Sequence, residues 1–499
     1  MTRHVLVIDQ GTTNTRVVVF DDAGRVAGSA GRELKQYYPQ PGWVEHDPEE
    51  IWQAVRELLP EAVAAAKIDP SSVAGIGITN QRETVVAYER STGTPLARAI
   101  VWQDRRTADF CRERRSDSKW ISERTGLVLD PYFSATKIRW LLERNPEWRR
   151  PPMRHKVRFG TIDSYLMHRM TCDEWCLSSF VTDVTNASRT LLLNLELGRW
   201  DDELLSYFGV PQEMLPAVLP SCADFGTVYG LGKPFDGLPV AGVAGDQQAA
   251  LFGQAAFSAG ESKCTYGTGA FFLLHTGTTP VRSQHRLLTT MAATTDRTPQ
   301  YALEGSVFVA GAAVQWLRDG LKLLGESSQS EALAGAADAE QSVVFVPGFV
   351  GLGAPHWVPE ARGAILGLTR ATGPAELARA TLEGVAFQVA DLLDAASFDA
   401  GAVAELRADG GMARNGWFLQ RQADILGLPV VAAAQSEATA QGVAYLAGLR
   451  LGVWKNQDEL RRLAAAGRRF LPQWDDAERR RRRAHWQRAV AAVIAFAGE

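Results

Sequence analysis

Residues 5–14 read VLVIDQGTTN: four apolar residues, an acid, then a glycine and two threonines. The apolar run predicts a buried strand, but the GTTN segment at its end is no plain hairpin turn. Small residues let backbone N–H groups approach an anion closely, and threonine hydroxyls add donors without bulk. Arg16 lies close to the same turn and adds a charge-assisted contact, so the anion expected here is phosphate. An acid beside a phosphate cradle is repulsive unless a cation sits between them. Asp9 therefore points to Mg2+, a hard ion bound by few carboxylates together with waters and phosphates. A lone strand-end aspartate is more often an Asx turn, so the weight depends on what repeats elsewhere.

Outward from this stretch, TRVVVFDDAGRVAG (15–28) continues as strand, with a turn at Asp22-Ala23-Gly24. HDPEEIWQAVRELL (46–59) starts a helix mechanically: Asp47 is the N-cap, Pro48 takes the first helical position, and acids fill the first turn. Ile51, Val55, Leu58 and Leu59 form its buried stripe. Strand-like runs at VAGIGIT (73–79), LPVAGVAG (238–245), SKCTYG (262–267), AFFLLHTG (270–277), SVVFVPGF (342–349) and GLPVVAA (427–433) alternate with helical patterns. That alternation over two halves predicts an α/β protein. In LPVAGVAGDQQ (238–248) an apolar strand again runs into Gly-Asp-Gln, and Asp246 lies 237 residues after Asp9. Read as the second copy of a duplicated domain, it places two aspartates across a cleft. TYGTGAFFLLHTG (265–277) repeats the Gly-Thr turn before an apolar strand. Together these favour a nucleotide site.

The chain's 499 residues are too many for one ordinary core, so two domains are expected. A hydrophobic content of 46% and a charged content of 22% are those of a soluble globular protein, and a net charge of -4 argues against a general nucleic-acid binder. The five cysteines, Cys111, Cys172, Cys176, Cys222 and Cys264, form no CxxC pair, which argues against a disulfide framework and for the cytoplasm. No signal peptide or integral membrane segment is read. No GxxxxGK[ST] occurs, since Gly232-Lys233 is followed by proline, and GIGITN, GTGAFF and GLGAPH lack the last glycine of a dinucleotide fingerprint. The eight histidines have no zinc-ligand spacing with the cysteines.

The stretches DQGTTNTR, PGWVEHDP, ITNQRET, IVWQDRRT, DPYFSATK, FGTIDSYL, TDVTNASRT, GDQQAALFGQ, TYGTG, YALEG, GLGAPHW, GLTR and ADGGMARN occur in that order from about residue 5 to about residue 455. In this order and number they resemble the glycerol kinases, of the carbohydrate kinase family with the actin-like ATPase fold. The resemblance implies duplicated actin-like ATPase (ribonuclease H-like) domains with the active site in the cleft between them. By it, residues 1–253 carry most of the glycerol site, residues 254–455 carry most of the nucleotide site, and residues 456–499 are a helical extension on the second domain. It implies that glycerol is held by Arg82, Glu83, Tyr132, Asp246 and Gln247, with Trp102 and Phe271 as the apolar wall. Such a mixture suits a small triol, which needs donors, acceptors and a flat surface for its CH groups. By the same resemblance Thr12, Thr13, Asn14 and Arg16 contact phosphates, Thr268 and Gly311 line the second side, and Gln315, Gly411 and Asn415 frame the nucleoside. Family members often have serine where Asn14 stands; its amide can still donate.

The reaction so implied is transfer of a phosphoryl group from MgATP to the terminal hydroxyl of glycerol. Asp246 is the general base, and Asp9 and Asp246 are the carboxylates of the Mg2+ site. A homodimer or homotetramer is usual in that family. Rival readings are a kinase for another polyol or sugar of the same fold and a non-catalytic actin-like nucleotide-binding protein. In some relatives the loop before the GDQQ strand carries a phosphorylatable histidine or a sugar-bisphosphate-binding arginine; here those positions fall on Gly232 and Gly237. Arginines 479–483 predict a terminal helix with a solvated face, membrane attachment being the alternative. TCDEWCLSSF (171–180) has no functional reading.

Overall fold

The structure is a computed structural model that describes residues 2–171, 179–434, 437–464 and 467–498. Cys172 and Cys176 lie outside the described residues. Strands β1 (His4–Gln10), β2 (Asn14–Phe20), β3 (Val26–Glu33), β4 (Val73–Asn80) and β5 (Val240–Gly245) form one sheet in the order β5-β4-β1-β2-β3. A second sheet holds β6 (Glu261–Tyr266), β7 (Ala270–Gly277), β8 (Leu288–Met291), β9 (Tyr301–Val307), β10 (Glu405–Asp409), β11 (Val430–Ala432) and β12 (Arg469–Phe470). Its order is β8-β9-β7-β6-β10-β11-β12. The two share a plan. β1 runs antiparallel to β2 through a Gly-Thr turn and parallel to β4, as β6 does to β7 and β10.

This pairing corrects one reading of the sequence. LPVAGVAGDQQ is not the second copy of VLVIDQG: β5 belongs to the first sheet, separated from β1 by β4 alone. SKCTYGTG is the copy. Strands β1, β4 and β5 are parallel, so they end on the same edge of the sheet. Asp9 and Asp246 therefore converge from one domain rather than face each other from two.

The helices that matter are α1 (Pro48–Ala66), α2 (Asp246–Gly253), α3 (Gly311–Asp319), α4 (Pro374–Ala400), α5 (Ala438–Leu451) and α6 (Asp476–Ala497). Asp47 caps α1, its side chain accepting from the Glu49 N–H, with Pro48 at the first helical position. Strand alternation decides how the first sheet is covered. In VAGIGIT, Ile76 and Ile78 point to one face, where with Leu6, Ile8, Val17 and Val19 they meet Ile51, Val55, Leu58 and Leu59 of α1. Gly75 and Gly77 point to the other, where a β carbon on Gly77 would lie 2.8 Å from the Val443 carbonyl of α5. Val5, Val7 and Val18 complete that face against Val443 and Ala444. Helix α5, late in the sequence, thus returns to the first sheet.

The second sheet alternates between an oily and a chemical face. Cys264, Tyr266, Phe272, Leu274, Leu303 and Val307 cluster with Val385, Val389 and Leu392 of α4. Lys263, Thr265, Phe271 and Glu304 share the opposite face by cross-strand register. Helix α6 sits on α4: Trp486 stacks on Phe387 at 5.4 Å and donates to Asp391 at 2.9 Å. Four of its arginines are matched by acids, Arg479 with Asp476, Arg481 and Arg482 with Glu478, and Arg483 with Asp394. Among the described residues, no helix is long and apolar enough to cross a membrane.

Helices α2 and α5 cross with their backbones touching. A β carbon on Gly253 would meet the Ala438 carbonyl at 2.0 Å, and one on Gly442 the Ala249 carbonyl at 1.8 Å. Backbone cannot give way as a flexible side chain can. Gly442→Val is expected to cost about 3 kcal/mol or more by overpacking, whereas Gly411→Ala, with open space around its β position, stays within about 0.5 kcal/mol of the parent. Thermal unfolding of the two variants checks this; equal midpoints would contradict the crossing.

Candidate active site

Helix α2 begins at the end of β5, so its first residue, Asp246, stands on the sheet edge where β4 delivers Asn80, Gln81 and Arg82. Asp246 Oδ1 accepts from the Gln247 N–H at 2.7 Å and pairs with Arg82 Nε at 3.2 Å. Burial pushes its carboxyl above the ordinary carboxylate range, against Arg82 and the Gln247 N–H, which pull it back. Arg82 Nη1 and Nη2 donate to Glu304 at 2.6 and 2.9 Å, and Nη1 also reaches Gln248 at 3.1 Å. Next to it, Glu83 has φ +62°, left-handed for a side chain that rarely adopts it. Arg189 Nε donates to Glu83 Oε1 at 2.6 Å, and Arg189 Nη2 lies 3.2 Å from Glu304. Burial alone would push Glu304 up; Arg189 and Arg82 override it and hold it at about 2.

Trp102 and Tyr132 meet edge to face at 5.4 Å beside this cluster, with the Arg189 guanidinium 5.6 Å from the Tyr132 ring. Trp102 Nε1 donates to Thr12 Oγ1 at 2.9 Å, which ties the aromatic wall to the Gly-Thr turn. Gln247 accepts from Lys263 at 2.5 Å, and Lys263 also donates to Thr265 at 2.9 Å. Phe271, predicted beside Trp102, lies on the same face of the second sheet as Lys263 and Glu304.

The residues expected at the nucleotide divide between the two domains. Gly11 donates to the Asn14 carbonyl at 2.9 Å and closes the β1–β2 turn, leaving Thr13 and Asn14 exposed. Arg16 is engaged by Glu437 at 2.6 Å, a partner it must share to reach a phosphate. On the other side, Thr268, Gly311, Gln315, Gly411 and Asn415 all line one cavity of about 390 Å³, with Tyr266, Val314, Leu382 and Met412 as apolar walls. Its floor is tight: Gly311 donates to the Gly267 carbonyl at 2.9 Å, and a β carbon on Gly311 would lie 2.6 Å from that oxygen. The Asp9 carboxyl is pushed up to about 6 by burial, with Arg16 lowering it and Glu437 and Asp246 raising it further.

The FGGY family of carbohydrate kinases matches at residues 4–253 through its N-terminal domain and at residues 262–451 through its C-terminal domain. The chain belongs to this family. A glycerol kinase of Rhizobium meliloti is 51% identical over 98% of this chain and 99% of its own. The crystal structure of Plasmodium falciparum glycerol kinase with ADP is similar at a TM-score of 0.93 and 36% identity, over 99% of this chain and 98% of that one. A ligand-bound xylulose kinase from Lactobacillus acidophilus, 24% identical over 99% of this chain and 98% of its own with a TM-score of 0.88, shares the fold. The cluster of this FGGY kinase also holds residues that sequence reasoning did not single out. Arg189, Lys263 and Glu304 sit inside the TDVTNASRT, SKCTYG and YALEG stretches. For Glu304 the available signal was a lone charge inside an otherwise apolar strand.

His46 is another. Its Nε2 faces Gln36 Oε1 at 2.9 Å and its Nδ1 faces Gln81 Nε2 at 3.2 Å, the pattern of a neutral imidazole. Gln36 and Gln81 in turn donate to the Thr12 and Gly11 carbonyls at 2.6 and 3.2 Å, so the pair braces the kinase's Gly-Thr turn. Burial pushes His46 from its ordinary 6.5 down to about 4. The unfolded chain then binds more protons than the native one between those values. Stability from this residue is complete above about 6.5 and lost as pH falls toward about 4, up to about 3 kcal/mol. Urea unfolding across that window checks it: His46→Gln is expected to flatten the slope by about one proton, and an unchanged slope would mean His46 is not buried neutral.

Proposed function

We propose that this chain phosphorylates the terminal hydroxyl of glycerol with ATP, giving sn-glycerol 3-phosphate and ADP. The observation that carries the reading is the convergence on Asp246 of groups that suit a three-carbon polyol: Arg82 at 3.2 Å, the neighbouring Glu83, and the Trp102–Tyr132 wall. The near-full-length similarity to the Rhizobium meliloti glycerol kinase names the polyol. We further propose a cytoplasmic enzyme acting as a homodimer or homotetramer, the assembly usual in the family it resembles.

In this reading Asp246 Oδ1 is occupied by the Gln247 N–H and Arg82, which leaves Oδ2 to take the hydroxyl proton. A carboxylate made more basic by burial, yet held ionised by a guanidinium, suits a general base. Thr12, Thr13, Asn14 and Arg16 hold phosphates from the first domain. Thr268, Gly311, Gln315, Gly411 and Asn415 hold the nucleotide in the second. The Asp9 carboxylate accepts no hydrogen bond among the described residues and is crowded by two other acids, an arrangement that fits a hard dication. Asp9 and Asp246 would hold Mg2+, which when bound neutralises charge on the phosphates. At 229–239, Gly232 and Gly237 have φ +78° and +93° with open space at their β positions. Neither offers a phosphorylatable nitrogen or a guanidinium, so control by phosphohistidine or by a sugar bisphosphate is not expected through this loop.

Asp246→Asn keeps size and hydrogen bonding but removes the base. Glycerol-dependent ADP release is expected to fall by about 100- to 10,000-fold, while calorimetry still detects glycerol and ATP binding. Near-normal turnover in that variant would sink the assignment.

A further inference from the structure

Two of the charged residues assigned to glycerol, Arg82 and Glu83, are themselves held by further charged partners, and one partner comes from the other domain. Glu304, on β9 of the second sheet, takes both Nη atoms of Arg82 at 2.6 and 2.9 Å. Arg189, C-terminal to the first domain's Val181–Asp183 strand, takes Glu83 Oε1 at 2.6 Å and stands 3.2 Å from Glu304. Side-chain exposures are 2% for Arg82 and Glu83 and 0% for Arg189 and Glu304. Among the described residues, Arg189 Nη1 and Nη2 make no hydrogen bond, so their charge is compensated by the nearby Glu304 and by the faces of Tyr132 and Phe133.

We infer that Glu304 and Arg189 are positioning residues that set glycerol recognition by fixing which atoms of Arg82 and Glu83 remain free. The valences can be counted. Arg82 has five N–H groups; Nη1 spends both of its hydrogens, on Gln248 and Glu304, and Nη2 spends one on Glu304, while Nε stands 3.2 Å from Asp246 as an ion pair without a hydrogen bond. The Nε N–H and one Nη2 N–H are left. Glu83 keeps Oε2, because Oε1 is held by Arg189, and Asp246 keeps Oδ2. A substrate therefore meets two fixed donors and two fixed acceptors, which suits adjacent hydroxyls that each donate and accept. Without Glu304 the Arg82 head regains two N–H groups and is free to swing. Without Arg189 the Glu83 carboxylate, on a strained backbone, turns toward Arg82, whose Nε is already 3.9 Å from it. A buried ion cluster is weak evidence of stabilisation, because apolar replacements of similar volume are often neutral or better. Its position against the substrate residues is what points to selectivity.

The inference rests on the glycerol reading, so the test separates the two. The double variant Arg189→Leu/Glu304→Leu removes one buried charge of each sign and leaves Arg82 opposite Glu83, so it is expected to fold with a melting temperature near that of the parent. Its KM for glycerol is expected to rise by about 10- to 100-fold, the range typical when groups supporting a site are lost, with the KM for ATP within about twofold of the parent. Its preference for glycerol over propane-1,2-diol should shrink in step. Glu304→Asp, which keeps the charge but withdraws the carboxylate by one methylene, is expected to show the same split and covers the case in which the double variant does not fold. A glycerol KM within about twofold of the parent in either folded variant, or equal rises for glycerol and ATP, would overturn the positioning role. Failure of the parent protein to use glycerol would instead overturn the substrate reading and this inference with it.

Discussion

The Arg82–Glu304 pair is the contact around which this chain is organised. It spans 222 positions of sequence and joins the edge of one sheet to the inward face of the other. Within the cluster Arg82, Arg189, Glu83 and Glu304 sum to zero, and that balance lowers the cost of burying them. An unpaired charge there would cost several kcal/mol, while the completed cluster fixes the guanidinium beside Asp246. The proposed base and the guanidinium that orients it are thus placed by a residue on the far domain.

The second constraint is closeness of backbone. Glycines at 75, 77 and 242 let α5 lie directly on β4 and β5, and glycines at 253 and 442 let α2 and α5 touch. Because α2 starts with Asp246, the position of the proposed base is set by how near two helices can come. The same economy appears at Gly311, where α3 begins against the Gly267 carbonyl and closes the nucleotide cavity.

Much of this was legible in the sequence where the signal is local. The strand ending in Asp9, the Asp47 cap and the alternation of VAGIGIT all have physical rules that act within a few residues. The five second-domain nucleotide positions implied by the resemblance line a single cavity. Asp246 was legible as chemistry but not as topology: a strand ending in an acid looks the same whether it closes the first sheet or opens the second, and only pairing with β4 decides. Arg189 and Glu304 were illegible as partners because nothing within ten residues of either hints at contacts 106 and 222 positions away. Glu304 in particular looks like an error in an apolar strand until Arg82 is placed opposite it.

In the proposed reading, with the polyol site on one domain and the nucleotide cavity on the other, the reacting groups would meet only where the domains meet, which would also keep water from the transferring phosphate. Substrate choice should then depend on hydroxyls that satisfy buried groups, since a missing hydroxyl leaves those groups unpaired. The most direct measurement is the initial rate of ADP release with MgATP and, in turn, glycerol, propane-1,2-diol, propane-1,3-diol, erythritol, xylulose, gluconate and no acceptor. The account predicts rapid release with glycerol, much slower release with either diol and only background without an acceptor. Release that is fastest with xylulose or gluconate, or that does not depend on the acceptor, would contradict it.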